Sequence, residues 1–144
     1  RPVVNGNLIY SLAYNGNLMA VDIRSGQIMW KKAYSAYRNF SMDGFMLYLT
    51  DYMGHVYAVD SRDGSELWKQ NALSNRGITG AYSSGSYVVV GDSLGYMHWL
   101  SKDTGEFVAR LELDDTGFYV EAVGKDNTIV VQTRDGQVSA INTP

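Results

Sequence analysis

Short apolar stretches alternate with polar turns along the entire chain. The stretches at 87–90 and 129–131 contain only valine, isoleucine and tyrosine, and glycine, asparagine, aspartate or serine residues border most such stretches. Apolar runs this short, bounded by turn residues, are typical of β-strands rather than helices. Their nearly continuous apolar character further indicates strands that are covered on both faces. The pattern therefore predicts an all-β protein in which no helix is required.

One hairpin pattern recurs along the chain. It reads GHVYAVDSRDGSELW at 54–68, GNLMAVDIRSGQIMW at 16–30, GYMHWLSKDTGEFVA at 95–109, and GQVSAINTP at 136–144. The leading glycines Gly16, Gly54, Gly95 and Gly136 are 38, 41 and 41 residues apart. A period near forty that is filled with short strands and glycine turns indicates a radially repeated β architecture.

Each repeat reads as four antiparallel strands, A to D, joined by tight turns. The predicted units are 2–33, 38–70, 78–113 and 118–142, with strand A beginning at 38, 78 and 118 in the last three. The fourth unit has three strands and lacks the outer one. We therefore predict a β-propeller fragment of about three and a half four-stranded antiparallel blades.

Charge and composition exclude several classes of function. The net charge is −3, and the Lys and Arg residues are scattered, so the basic face that a nucleic-acid-binding protein needs is missing. The chain has no cysteine, which rules out a disulfide framework and thiolate chemistry. No apolar run approaches the roughly 18 residues of a membrane span. Because the chain begins with Arg1-Pro2 rather than Met, we expect it to be a piece of a longer protein.

The repeat carries the motif Ala-x-Asp-x-x-x-Gly-x-x-x-Trp. A small alanine leaves room for an aromatic ring against a neighbouring backbone, aspartate accepts hydrogen bonds from turn amides, and glycine supplies the turn dihedral. The third unit reverses the large and small positions, which keeps the summed volume and predicts a similar contact of reversed polarity. The motif positions are Ala20, Asp22, Gly26, Trp30, Ala58, Asp60, Gly64 and Trp68, then Trp99, Gly105 and Ala109.

Groups that could carry chemistry are sparse. His55 and His98 are the two histidines, and neither stands in a cluster with the three or four donors that zinc requires. The carboxylates of Asp51, of Asp60 with Asp63 and of Asp114 with Asp115 could in principle form a glycosidase pair or a calcium loop. Their positions in and beside turns favour turn capping and solvation instead. We predict no catalytic residue, no metal site and no cofactor.

These residues carry a resemblance to a known family. The alanine-to-tryptophan motif resembles the tryptophan-docking repeat of the β-propellers of pyrroloquinoline-quinone (PQQ) type. Within that superfamily, residues 12–32, 88–109 and 133–141 closely resemble the C-terminal part of the BamB family of outer-membrane protein assembly factors. The resemblance implies an eight-bladed ring, whose last blade is closed by a strand from the N-terminus.

The same resemblance implies a function. It indicates a non-enzymatic subunit of the outer-membrane β-barrel assembly (BAM) complex on the periplasmic face of the outer membrane, held there by an N-terminal lipid that this chain does not include. The partner would be the POTRA domains of BamA, and direct binding of nascent outer-membrane proteins stays open. The alternative is a fragment of a PQQ-dependent dehydrogenase, but those enzymes are much longer and place a vicinal cysteine pair beside the cofactor.

Propeller geometry suggests where a partner would bind. The loops from strand D to the next strand A emerge on the same face as the B–C turns. Exposed tyrosine and arginine residues in such loops suit an interface; the alternative is that they are ordinary loop residues. The resemblance implies that the main BamA contacts lie upstream, so we predict that the loop residues flank the interface. These residues are Arg1, Tyr14, Asn15, Tyr34, Tyr37 and Arg38.

Overall fold

The computed structural model describes residues 2–13, 16–34, 40–118 and 122–144. Within these ranges the backbone forms strands and turns without a helix, which confirms the all-β prediction. The strands of the described residues form three four-stranded sheets and one three-stranded sheet. In each sheet, strands that follow one another in sequence pair antiparallel, and we call the sheets blades 1 to 4 in chain order.

The strand bounds of each blade are as follows. Blade 1 contains β1 (Val3–Asn5), β2 (Leu8–Leu12), β3 (Asn17–Asp22) and β4 (Ile28–Ala33). Blade 2 contains β5 (Ser41–Asp43), β6 (Met46–Thr50), β7 (Val56–Asp60) and β8 (Glu66–Gln70). Blade 3 contains β9 (Tyr82–Ser84), β10 (Tyr87–Gly91), β11 (Tyr96–Ser101) and β12 (Phe107–Glu112). Blade 4 contains β13 (Val123–Lys125), β14 (Thr128–Gln132) and β15 (Val138–Asn142).

The first strand of blade 3 begins at Tyr82, later than the predicted start at 78. The first strands described in blades 2 and 4 begin at Ser41 and Val123. Residues 35–39 and 119–121 lie outside the described part of the chain, so the predicted starts at 38 and 118 stay predictions. In blade 3, Ile78 is buried in the core without belonging to a strand. The apolar pattern at 78–82 therefore reflects burial in the core between blades 2 and 3, and periodicity alone does not distinguish such burial from strand pairing.

Alternate residues of the central strands face opposite neighbours. In β10, Val88 and Val90 belong to the core between blades 2 and 3, whereas Val89 belongs to the core between blades 3 and 4. In β6, Tyr48 likewise faces blade 3, whereas Leu47 belongs to the core shared with blade 1. Successive side chains of a strand point to opposite faces of its sheet. When the blade has a neighbour on each face, the side chains on both faces of the strand are therefore buried. This explains the continuous apolar runs in the sequence.

The end blades carry apolar side chains on their outer faces. Val123 and Val130 pair across β13 and β14, and both are exposed. On blade 1, Val4 and Met29 are exposed. Exposed apolar sheet faces and unpaired edges promote association with other chains.

We therefore expect the isolated 144-residue chain to self-associate or to be only marginally stable. Sedimentation velocity over a range of protein concentrations measures the association, and thermal denaturation measures the cooperativity of unfolding. A monodisperse monomer that unfolds in one sharp transition would show that this expectation is wrong.

Candidate functional site

Two tryptophans join consecutive blades. The indole Nε1 of Trp30 in blade 1 donates to the carbonyl oxygen of Ser61 in blade 2 at 2.7 Å. Trp68 of blade 2 repeats this contact with the carbonyl oxygen of Lys102 in blade 3, also at 2.7 Å. A buried indole needs an acceptor for its N–H group, and here the acceptor is a backbone atom of the next blade. Each contact thus ties the outer strand of one blade to the C–D turn of the next.

The motif glycines form the surfaces on which these rings lie. A Cβ atom placed on Gly64 would lie 2.6 Å from the Trp30 ring, and one on Gly105 would lie 2.4 Å from the Trp68 ring. Both glycines have positive φ angles, 78° and 75°, which side-chain-bearing residues rarely adopt. Glycine is therefore needed here for two reasons, the turn conformation and the close approach of the indole.

The motif aspartates accept hydrogen bonds from the backbone of the C–D turns of blades 1 and 2. Asp22 Oδ1 accepts a hydrogen bond from the Arg24 backbone N–H at 2.7 Å. Asp60 Oδ1 accepts the equivalent bond from Arg62 at 2.9 Å, and the Arg62 guanidinium also contacts the Asp60 carboxylate. These bonds hold the pKa of Asp60 below its usual value. Asp60 thus organises the turn that receives Trp30, whose Nε1 donates to the carbonyl oxygen of Ser61, and Asp22 organises the corresponding turn of blade 1.

Blade 3 departs from this arrangement. Trp99 pairs with Ala109 across β11 and β12, and its ring is buried in the core between blades 3 and 4. Among the described residues, Trp99 Nε1 has no acceptor. In blades 1 and 2 the same cross-strand pair is Ala20 with Trp30 and Ala58 with Trp68, so blade 3 keeps the pair with its large and small positions exchanged.

Two buried aspartates, Asp51 and Asp92, stabilise the B–C turns of blades 2 and 3. Their hydrogen-bond networks were not predicted from the sequence. Asp51 Oδ1 accepts the backbone N–H groups of Met53 and His55, each at 2.9 Å. Its Oδ2 lies 2.9 Å from His55 Nδ1 and accepts the Tyr57 hydroxyl at 2.7 Å. The carboxylate thereby joins the turn to strand β7.

Asp92 fills the equivalent place in blade 3. Its Oδ1 accepts the backbone N–H groups of Leu94 and Tyr96 at 2.9 and 3.1 Å, and its Oδ2 lies 2.8 Å from His98 Nε2. Asp51 and Asp92 each lie three residues before a periodic glycine. This spacing is the sequence signal that could have identified them.

The Asp92–His98 pair is almost fully buried, with side-chain exposures of 0% and 4%. Burial lowers the pKa of His98, and this effect outweighs the hydrogen bond to Asp92, which raises it. Burial would raise the pKa of Asp92, but the bonds from His98, Tyr96 and Leu94 hold it below its usual value. At neutral pH the pair is therefore a neutral imidazole beside a carboxylate.

The lowered pKa of His98 makes stability depend on pH. A group whose pKa is depressed in the folded state contributes stability above its unfolded pKa, about 6.5 for histidine, and loses that contribution as the pH falls further. We expect the free energy of unfolding to decrease between about pH 7 and pH 5, and to decrease less in His98→Gln. Urea titrations at several pH values measure this, and equal pH dependence in the two proteins would contradict it.

A groove of about 410 Å³ lies between blades 1 and 2, and we call it the first interblade groove. Tyr34, the one predicted contact residue in the described part of the chain, lines it. Its ring packs edge-on against Tyr57 at a centroid distance of 5.0 Å, and burial raises its pKa. Tyr34 is thus half-buried rather than freely exposed. Arg1, Tyr14, Asn15, Tyr37 and Arg38 lie outside the described residues.

A second groove, also of about 410 Å³, lies between blades 2 and 3, and we call it the second interblade groove. Its lining includes Leu73 and Arg76 from the loop after β8, His98 from β11, and Phe107 and Arg110 from β12. Within the described ranges, no group of three or more His, Cys, Asp or Glu side chains is arranged to hold a metal ion. Over the same ranges, no helix has the length and apolarity to cross a bilayer.

Comparison with known proteins identifies the family. The model of the family described as outer membrane protein assembly factor BamB matches residues 1–70 and 52–144. A BamB from Alteromonas naphthalenivorans is 44% identical over 99% of this chain and 35% of its own length. A BamB from Aliivibrio fischeri is 50% identical over 95% of this chain and 36% of its own length. The chain thus spans about a third of these relatives.

Solved structures place the fold in the same group. The crystal structure of BamB from Moraxella catarrhalis superimposes with a TM-score of 0.87 at 25% identity, covering 96% of this chain and 41% of that one. This confirms the prediction of a propeller fragment. A europium-containing methanol dehydrogenase superimposes with a TM-score of 0.66 at 21% identity, over 76% of this chain and 23% of the enzyme, which shows a shared fold alone. The chain belongs to the family of outer membrane protein assembly factor BamB.

Proposed function

We propose that this chain is part of a non-enzymatic scaffold subunit of the BAM complex. The observation that carries the proposal is the match of the BamB family model along the chain, from residue 1 to residue 144. The relatives from Alteromonas naphthalenivorans and Aliivibrio fischeri are outer membrane protein assembly factors. The subunit would act at the periplasmic face of the outer membrane, anchored by a lipid on the longer protein.

The geometry supports a scaffold. Blades 1, 2 and 3 are joined by the indoles of Trp30 and Trp68, which donate to backbone carbonyls of the next blade. A series of blades joined in this way presents its connecting loops at fixed relative positions, and partner-binding residues are commonly carried by loops on a rigid framework. Asp51 contacts His55 and Asp92 contacts His98, and both aspartates also bind the backbone of a turn. These carboxylates and imidazoles therefore have structural roles, which supports a scaffold rather than an enzyme.

The partner that we propose is the POTRA domains of BamA. Tyr34, at the first interblade groove, lies in the loop after β4, and we propose that this loop flanks the interface. Truncation of Tyr34 to Ala is expected to weaken BamA binding modestly, by about 1 kcal/mol, because most interface residues contribute little. Leu67→Ala on the exposed side of β8 is a control for unspecific effects. Unchanged affinity in Tyr34→Ala would contradict the flanking role.

Calorimetric titration of BamA POTRA domains into this chain, and separately into the longer protein, tests the proposed function. Binding by both would place part of the interface in these blades. Binding by the longer protein alone would place the interface upstream and leave these blades to complete the ring. Binding by neither would overturn the proposed partner.

A further inference from the structure

The second interblade groove combines an apolar lining with two cationic side chains. The loop after β8 contributes Leu73 and Arg76, and β12 contributes Phe107, Val108 and Arg110. The volume of about 410 Å³ lies in the range of protein pockets that bind ligands, roughly 300–1,000 Å³. An apolar wall with a few charged groups is the usual composition of such pockets.

The two guanidinium groups have capacity for another anion. Arg76 makes one long contact, 3.4 Å from its Nη1 to Asp92 Oδ2, and that oxygen also lies 2.8 Å from His98 Nε2. Arg110 stacks over the Tyr96 ring at 4.9 Å. Among the described residues it forms no ion pair. A stacked guanidinium keeps its in-plane N–H groups available, and these bind carboxylates in a bidentate manner.

The described residues that line the groove include two positively charged side chains, Arg76 and Arg110. Burial lowers the pKa of His98, and the charges of Arg76 and Arg110 lower it further, so the ring is uncharged at neutral pH. Both arginines line the same cavity as His98. Asp92 is fully buried behind Arg76, and Glu112 is held by the Tyr96 hydroxyl at 3.2 Å. No carboxylate is among the described residues that line the groove.

The shape favours an extended chain over a compact anion. Residues 107–110 of β12 line the groove in succession, a length of about 13 Å at the usual rise of a strand. Phe107 and Val108 are exposed along this length. We propose that the second interblade groove binds an extended acidic peptide segment of a partner protein. One carboxylate lies between Arg76 and Arg110, and a neighbouring apolar side chain packs against Leu73 and Phe107.

The first interblade groove provides an internal control. Lys69 and Arg110 are equivalent, since each lies fifteen residues after a periodic glycine. The lining of the first groove, however, includes the carboxylates of Asp51 and Glu66. An acidic peptide would be repelled there, so the proposal assigns binding to the second groove only.

The test is calorimetric titration of the longer protein with an acetylated and amidated peptide, Gly-Leu-Glu-Leu-Gly, and with its Gln analogue. We expect the Glu peptide to bind about tenfold more tightly than the Gln peptide, because charge-assisted hydrogen bonds are stronger than neutral ones. Arg110→Met should weaken binding of the Glu peptide by about tenfold, whereas Lys69→Met should change it by less than about twofold. Both substitutions retain an apolar side chain on an exposed strand, and circular dichroism checks that the variants fold.

Three results would overturn the proposal. The first is equal affinity for the Glu and Gln peptides. The second is an equal loss in Lys69→Met and Arg110→Met, which would indicate general surface charge. The third is no binding of the Glu peptide at millimolar concentration. None of these results bears on the titration with BamA, because the peptide tests the groove alone and the proposed partner surface flanks the first groove.

Discussion

Trp68→Ala is expected to lower the free energy of unfolding by about 3–5 kcal/mol, the usual cost of truncating a large buried aromatic residue. The indole packs in the core between blades 2 and 3 and covers Gly105. Its removal leaves a cavity there and leaves the Lys102 carbonyl oxygen without the Trp68 N–H donor. Urea denaturation at a fixed protein concentration measures the change.

Two control variants separate the contributions of Trp68. Trp68→Phe keeps an aromatic ring and removes the N–H donor. We expect it to lower the free energy of unfolding by about 1 kcal/mol for the lost hydrogen bond, and by a smaller amount because the phenyl ring fills less space. Leu67→Ala alters the adjacent residue, which is 56% exposed, and should change stability by less than about 0.5 kcal/mol. If Trp68→Ala cost no more than Leu67→Ala, Trp68 would not join these blades.

Gly95→Ala is expected to cost about 3–5 kcal/mol, from backbone strain and overpacking together. A Cβ atom on Gly95 would lie 1.4 Å from the carbonyl oxygen of Asp114, and its φ angle is +91°. The close approach arises because the end of blade 3 passes over its own B–C turn, where Leu113 N–H donates to the Gly95 carbonyl oxygen at 3.0 Å. Backbone must move to admit the methyl group.

Gly136→Ala is the matched control, since Gly136 occupies the same place in the repeat. Its φ angle is +90°, but nothing lies within 4 Å of its Cβ position. Alanine there should lower the free energy of unfolding by about 1–2 kcal/mol, which is the cost of placing a residue with a Cβ atom in the left-handed conformation. The difference between the two variants, read from urea denaturation, isolates the collision with Asp114. Equal losses would show that this collision does not determine the stability of the turn.

The central and outer strands were predictable from sequence because their turns carry glycine at a regular period. Gly54 and Gly95 begin equivalent hairpins, and the apolar runs between turns belong to strands such as β6 and β10. The inner strand of blade 3 was placed too early, because buried residues such as Ile78 have the same apolar character as strand residues. Apolar periodicity reports which residues are buried, and it does not report which of them form a ladder.

The polar networks and the grooves were harder to predict. Asp51 and Asp92 look like ordinary turn residues in the sequence, and their bonds to His55 and His98 depend on how strand C passes beneath the B–C turn. The second interblade groove depends on a loop from one blade and two strands of the next, which come together only in the folded chain. By contrast, the alanine-to-tryptophan motif is local, so its packing role could be inferred from residue volumes alone.

The central claim is that a tryptophan docked on a glycine holds one blade to the next. A double-mutant cycle of Trp68→Ala and Gly105→Ala tests it most directly. Alone, Gly105→Ala should cost about 3 kcal/mol, because its Cβ would collide with the indole and the turn would be strained. In the Trp68→Ala background it should cost only about 1 kcal/mol, since the indole is absent. A coupling energy of about 2 kcal/mol would support the claim, and strictly additive losses would contradict it.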